Sequence, residues 1–368
     1  MLKQRMMVAV LSGVALVSSS AGAVTGGGAT IPAKLYKGAS DSIFPASFSY
    51  AATGSGICKS AFLTNNAAQF GTTGTVHFAA SESILTATEI ATYNASLASA
   101  YGPLIQIPSV VTPVVIVYKK AGQTALNLTS AQLCDAMSGA ATTWGALLGT
   151  SDSTPIRLVY PSYSSGGTEV LSRHLNAVCP IRFSTNAIFT SARINAGSSI
   201  PSNWVSVGAD GDVNAMVNSV DGSIGYLGPD GLDVKNNAVV ARINGVLPTL
   251  ADSTLALVPV LHPPTRVVEP SAWGQVIAKP SSGYSISATS NLIFSQCYKD
   301  AAVASEIKSF LSKHYSYPGN VPSNRAHGFV GMADKMREAV IANFVTNTSG
   351  ENLDINNPSI CNGIGRPL

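Results

Sequence analysis

The chain has 368 residues, a formal net charge of +3 and only 11% charged residues, far below the roughly 25% of an average domain. The small positive balance comes with no Lys/Arg cluster, which argues against nucleic acid as a partner and leaves room for a small anionic ligand. The length is too great for one ordinary core and suits two lobes.

In chain order, Lys3 and Arg5 precede the apolar run Met6 to Val17 and the small residues Ala21-Gly22-Ala23, the layout of a cleavable export signal over 1–23. That run is shorter than the ~20 residues of a membrane span, and no later stretch supplies one. The mature protein is therefore expected to be soluble and exported, either secreted to the medium or periplasmic, with no membrane span.

Strands are predicted at Leu104 to Ile107, Val110 to Tyr118, Ile156 to Tyr160 and Gly225 to Leu227. Helices are predicted at Ala131 to Ser138, capped by Ser130 and stopped by Gly139, and after Gly167 as far as Cys179-Pro180. Two more are expected at Ala304 to His314 and Met332 to Val345. The stretch Val258 to Pro270, with His262-Pro263-Pro264, reads as an irregular surface crossing between lobes. Alternating β-branched runs and helical patterns predict an α/β architecture with partly parallel sheets.

Three segments combine small residues with hydroxyls where a strand gives way to a loop or helix: Gly26-Gly27-Gly28-Ala29-Thr30, Thr53-Gly54-Ser55-Gly56 and Ser164-Ser165-Gly166-Gly167-Thr168-Glu169. A helix N-terminus presents unpaired N–H groups and partial positive charge, so it can hold an oxyanion without a cation, and glycine lets the backbone approach closely. One such loop alone is more often an ordinary turn and cap. Three in one exported chain favour an anion pocket.

Other chemistry finds little support. No G-x-S-x-G elbow occurs, and the five histidines, His77, His174, His262, His314 and His327, are scattered without metal spacing, so neither a metal centre nor any other cofactor is expected. The five cysteines form no CxxC pair. In an oxidising compartment, Cys134 with Cys179 and Cys297 with Cys361 are the expected disulfides, which leaves Cys58 as a buried small residue.

Over nearly its whole mature length the chain resembles the Pst-type phosphate-binding proteins, within them the DING and secreted alkaline phosphatase L subgroup of pseudomonads. The resemblance is carried by Gly26-Gly27-Gly28-Ala29-Thr30-Ile31-Pro32, Thr53-Gly54-Ser55-Gly56, Phe78-Ala79-Ala80-Ser81-Glu82-Ser83, Leu104-Ile105-Gln106-Ile107-Pro108-Ser109-Val110, Ser164-Ser165-Gly166-Gly167-Thr168-Glu169, Asn291-Leu292-Ile293-Phe294-Ser295-Gln296-Cys297-Tyr298 and Cys361-Asn362-Gly363. It implies a two-lobed periplasmic-binding-protein (Venus-flytrap) fold with the ligand cleft between lobes. The expected division is 24–112 plus 271–368 for one lobe and 113–270 for the other. It implies phosphate donors at Ala29, Thr30, Ile31, Ser55, Ser165, Gly166 and Gly167, and the same two disulfides.

Two positions depart from the family pattern. Glu82 stands where the family has an Asp that accepts the proton of hydrogen phosphate, and it reaches about 1.5 Å further. Pro161 stands where the family has an Arg, whose loss should cost at least about tenfold in phosphate affinity. Arg157 lies about 13 Å away along a strand and is too distant to replace it. Gly167 in place of a Thr removes a hydroxyl. The expected ligand is inorganic phosphate or a phosphoester. By resemblance the expected activity is phosphomonoesterase or phosphodiesterase, with Glu82 as the catalytic acid or base. The alternative is a non-catalytic phosphate or oxyanion binder of weakened affinity, a transport receptor or an extracellular sequesterer. Secretion machinery or a transporter are the other possible partners.

Overall fold

The computed structural model describes residues 24–194 and 199–368, so the expected export signal at 1–23 lies outside the described residues. The strands in chain order are β1 (Gly26–Gly28), β2 (Phe78–Ser81), β3 (Leu104–Pro113), β4 (Val115–Lys119), β5 (Asn127–Leu128), β6 (Arg157–Pro161), β7 (Val205–Val207), β8 (Ser223–Leu227), β9 (Arg242–Ile243), β10 (Ser287–Ser295) and β11 (Val330–Gly331). One sheet runs β1-β2-β10-β3-β11 and a second runs β4-β8-β6-β7, with β5 and β9 paired apart. In the first, β1 and β2 are parallel while β10 is antiparallel to both β2 and β3. In the second, β6 is parallel to both β7 and β8, and β4 closes one edge antiparallel to β8. The two sheets form the cores of a two-lobed α/β fold.

All ten residues of β3 and all nine of β10 are buried, as strands covered on both faces must be. β3 is continuous through Pro108, where the sequence suggested two strands. The register against β10 slips there, with Ser290 opposite Val110 and Asn291 opposite Pro108, so Ser109 is the extra residue of a bulge that absorbs the missing proline N–H. The long strand expected to end at Tyr118 divides instead at Val114, where the chain leaves the first sheet for the second.

Four helices matter most for the site and its frame: α1 (Ser55–Leu63), α2 (Ser130–Ser138), α3 (Gly166–Val178) and α4 (Ala301–Tyr315). The cap of α2 is Thr129, not Ser130. Thr129 Oγ1 accepts from Gln132 N at 3.1 Å and Gln132 Oε1 accepts from Thr129 N at 2.9 Å, a capping box. Ser130 Oγ instead meets His174 Nε2 at 2.9 Å. The helix expected from Met332 to Val345 starts at Asp334 and passes at Ile341 into a π-helical turn. Between the first sheet and α4, Phe44 meets Phe78 at 5.1 Å and Phe310 at 4.9 Å between ring centroids, both edge-on, an aromatic knot that fastens the helix to β2.

Both expected disulfides are present. Cys134–Cys179 ties α2 to the end of α3, and Cys297–Cys361 ties the end of β10 to the C-terminal segment. Cys58 is free and buried, its thiol donating to Ser55 O at 3.1 Å or Ala80 O at 3.0 Å, and burial pushes it well above the usual thiol range. It is a packing residue beneath the anion loops rather than a nucleophile. No helix among the described residues is long and apolar enough to cross a membrane.

Two buried histidines make stability depend on pH. Burial, reinforced by the Arg366 guanidinium, pulls His77 down to about 4, and burial pulls His314 down to about 4. Each ring nitrogen Nδ1 already accepts a hydrogen bond, from Thr25 N at 2.9 Å and from Asn320 Nδ2 at 3.1 Å, so protonation there also breaks a contact. Between about pH 6.5 and 4 the unfolded chain binds protons at these sites and the folded chain does not. The stability they carry is complete above pH ~6.5 and is lost as pH falls toward 4. Thermal midpoints are expected to fall across that window, and His314→Gln to flatten the descent; an equally steep descent in the variant would contradict this.

Candidate functional site

The three loops meet where the two sheets face each other. Gly28 ends β1 at φ +134°, and a Cβ there would stand 2.0 Å from Ala80 O and 2.5 Å from Cys58 Sγ, so glycine alone lets the chain turn into the cleft. Ala29 follows, with its N–H on Ala80 O at 2.7 Å and its carbonyl accepting from Tyr50 OH at 2.6 Å. Ala29 is therefore an anchor rather than the expected donor: its N–H is consumed extending the sheet. Thr30 carries the loop into the cleft, and its buried Oγ1 has no partner among the described residues, as is also true of Thr53 Oγ1. Ile31 packs across the cleft, so that a Cβ on Gly228 would stand 2.5 Å from its Cγ2 and one on Gly167 would stand 3.0 Å from its Cδ1.

The second loop crosses closer still. Gly54, at φ +90°, donates to Gly28 O at 2.9 Å, and a Cβ on it would lie 2.0 Å from Ser164 O of the third loop. Ser55 then opens α1. Its hydroxyl donates to Glu82 Oε2 at 2.6 Å and accepts from Glu82 N at 3.1 Å, and both residues are fully buried. The third loop leaves β6 at Pro161 and enters α3 through Ser165, whose Oγ accepts from Thr168 N at 3.3 Å as the N-cap. Gly166 and Gly167 form the first turn, whose N–H groups have no helical carbonyl to bind. Glu82, at the end of β2, aims its carboxylate at that turn: a Cβ on Gly166 would be 2.1 Å from Glu82 Oε2 and 2.3 Å from Ser55 Oγ. Ser55, Glu82, Ser165 and Gly166 thus converge on one spot, with Thr30 and Ile31 on its rim.

Further contacts fasten the cleft. Ser83 Oγ donates to Glu169 of α3, which also pairs with Arg173. His327 places Nδ1 3.0 Å from Asp230 Oδ1 and Nε2 3.1 Å from Asp41 Oδ1. That hydrogen bond holds the Asp41 carboxyl below the usual range. Arg157 cannot reach the spot, because its guanidinium donates to Met216 O at 2.8 Å and Ser223 Oγ at 3.0 Å at the opposite end of β6.

Beside the converged loops lies a cavity of about 390 Å³ whose lining includes Thr30, Ile31, Lys34, Thr53, Tyr163 and Asp230, so both sides of the cleft contribute. Thr53 could have been added to the site from its place in Thr53-Gly54-Ser55. Asp41, Asp230 and His327 carry no local signal, since they come from three distant segments.

Two α/β lobes facing each other across Gly-, Ser- and Thr-rich loops define a two-lobed solute-binding architecture, and residues 17–312 match the PBP superfamily domain. The chain belongs to that superfamily, in its phosphate-binding branch. It is 53% identical to a Pseudomonas aeruginosa protein named Alkaline phosphatase L, over the whole of both chains. Among solved structures it is similar to a phosphate-binding protein from Stenotrophomonas maltophilia, with 40% identity and a TM-score of 0.86 over 94% of this chain and 100% of that one. It is also similar to the high-affinity periplasmic phosphate-binding protein PfluDING, bound with phosphate, with 34% identity and a TM-score of 0.84 over 94% and 99% of the two chains.

Proposed function

We propose that this is an exported protein that holds the phosphoryl group of a phosphate ester at the spot where Ser55, Ser165, Gly166 and Gly167 meet, and hydrolyses it. The lobes in this reading are 24–112 with 271–368, and 113–270, and the protein acts in the periplasm or the medium. The observation that carries the proposal is the cavity of about 390 Å³ that continues from the rim residues Thr30 and Ile31. That space is of a size to take the alcohol portion of an ester whose phosphoryl group sits at the converged loops. The similarity to Alkaline phosphatase L supports the same reading.

The chemistry assigned to these residues is simple. The N–H groups at the start of α3 and the hydroxyls of Ser55 and Thr30 stabilise charge on the phosphoryl oxygens. Glu82 accepts a proton from the attacking water as its oxygen bonds to phosphorus. The bond to the ester oxygen breaks, and the proton passes to the departing alkoxide. The products are phosphate and the free alcohol.

The test is turnover of p-nitrophenyl phosphate by highly purified protein. Glu82→Gln is expected to lower kcat by about a hundredfold or more. Full turnover in that variant would remove Glu82 from the chemistry. A second reading, a binder without turnover, rests on the similarity to phosphate-binding proteins of solved structure. Calorimetry showing micromolar phosphate binding by a protein with no turnover would establish it instead.

A further inference from the structure

We propose that Glu82 is the resident anion of the cradle: its carboxylate occupies the place at the α3 N-terminus that a phosphoryl group takes, and a ligand enters by displacing it. The inference rests on the reading that phosphoryl groups bind at this spot, and it concerns how tightly they are held.

Gly166 stands in the first turn of α3, and a Cβ on it would lean toward the helix N-terminus. The atom it would strike first is Glu82 Oε2, at 2.1 Å. The helix end there offers orphan N–H groups and partial positive charge, the features that attract an oxyanion. The same oxygen receives the single hydroxyl proton of Ser55 at 2.6 Å, so a donor expected to serve phosphate is already spent. Ser55, Glu82, Ser165 and Gly166 are all buried and absent from the lining of the adjoining cavity, because they are packed on one another beneath it. The side-chain length is what permits this. An Asp on the same backbone would fall short by about 1.5 Å.

A tethered carboxylate competes with phosphate wherever phosphate binds. A scavenger that holds phosphate tightly cannot release it as a product, whereas a cradle that refills itself with its own carboxylate expels phosphate after each turnover. Displaced from the α3 turn, the same carboxylate still stands beside the phosphoryl group, where the acid–base role requires it.

The sign of one affinity change decides the matter. Inorganic phosphate is titrated calorimetrically into the full-length mature protein and into Glu82→Ala and Glu82→Asp, with thermal melts to verify folding. Both variants are expected to bind phosphate at least tenfold more tightly than the parent, and Glu82→Ala is expected to bind sulfate as well. If Glu82→Ala binds phosphate equally or more weakly, Glu82 is a ligand contact rather than a competitor and the inference is overturned. Unchanged affinity in a well-folded Glu82→Asp would overturn it too. Tighter binding by variants of a protein that never hydrolyses an ester would sustain the inference and defeat only the proposed activity. No phosphate binding by any of the three proteins would end both.

Discussion

Gly166→Ala is expected to lower affinity for phosphate and for p-nitrophenyl phosphate by more than tenfold while leaving the stability of its own lobe intact. Gly166 has helical backbone, so alanine there is locally favoured by up to about 1 kcal/mol. The cost falls across the cleft. The new methyl would stand 2.1 Å from Glu82 Oε2, 2.3 Å from Ser55 Oγ and 2.8 Å from Glu82 Cβ. A rotamer change can move the two oxygens, but Glu82 Cβ is fixed to β2, and the remaining relief is for the α3 N-terminus to withdraw. Withdrawal also strains the approach of Gly54 to Ser164 and the packing of Ile31 on Gly167 and Gly228. Calorimetry would show the lost affinity, and small-angle scattering a larger radius of gyration. Parental affinity together with a parental radius would mean that the lobes do not close as described.

How much of this could be read in the sequence depended on the range of the interactions. The Gly-Ser loops, the strand entering at Ile156 and the helix after Gly167 are local patterns, and the structure has them, with β6 at Arg157–Pro161 and α3 at Gly166–Val178. The sequence around the start of α2 offers two good caps, Thr129 and Ser130, one residue apart. What selects Thr129 is Gln132 three residues on, together with the engagement of Ser130 by His174 from another helix. Pro108 reads as a break because a proline normally interrupts a strand, and the bulge that lets β3 run through it depends on β10, nearly two hundred residues later. Family resemblance picks out Ser55, Glu82 and Gly166 as candidates, but nothing local to their segments shows that the structure brings them together. Nothing in Ser81-Glu82-Ser83 indicates that the carboxylate lies against Gly166, or that the N–H of Ala29 is spent on Ala80. The triplet Asp41, His327 and Asp230 is purely tertiary.

The second large effect is expected far from the cleft, in the C-terminal segment that braces the first sheet. Replacing both Cys297 and Cys361 by Ser opens a link between residues 64 apart in sequence, which is worth about 4 kcal/mol on loop-closure entropy. The same segment is held a second way. Arg366 is fully buried, with Nε donating to Ser295 Oγ at 2.7 Å and the two terminal nitrogens donating to Val76 O at 2.7 Å and Phe62 O at 2.8 Å, while its guanidinium lies 3.7 Å from the centre of the Phe62 ring. These contacts reach β10, α1 and the approach to β2, the elements that carry Ser55 and Glu82. Arg366→Met removes charge-assisted bonds from buried carbonyls and is expected to cost about 3–5 kcal/mol by itself. The two devices hold one strap, so their effects should not add. Once the disulfide is gone, the segment detaches more readily and Arg366 has less left to stabilise. Denaturant midpoints for the parent, the Cys pair variant, Arg366→Met and the triple variant would give the coupling directly. A sum of the separate losses that matches the triple variant would show that Arg366 and the disulfide brace the sheet independently.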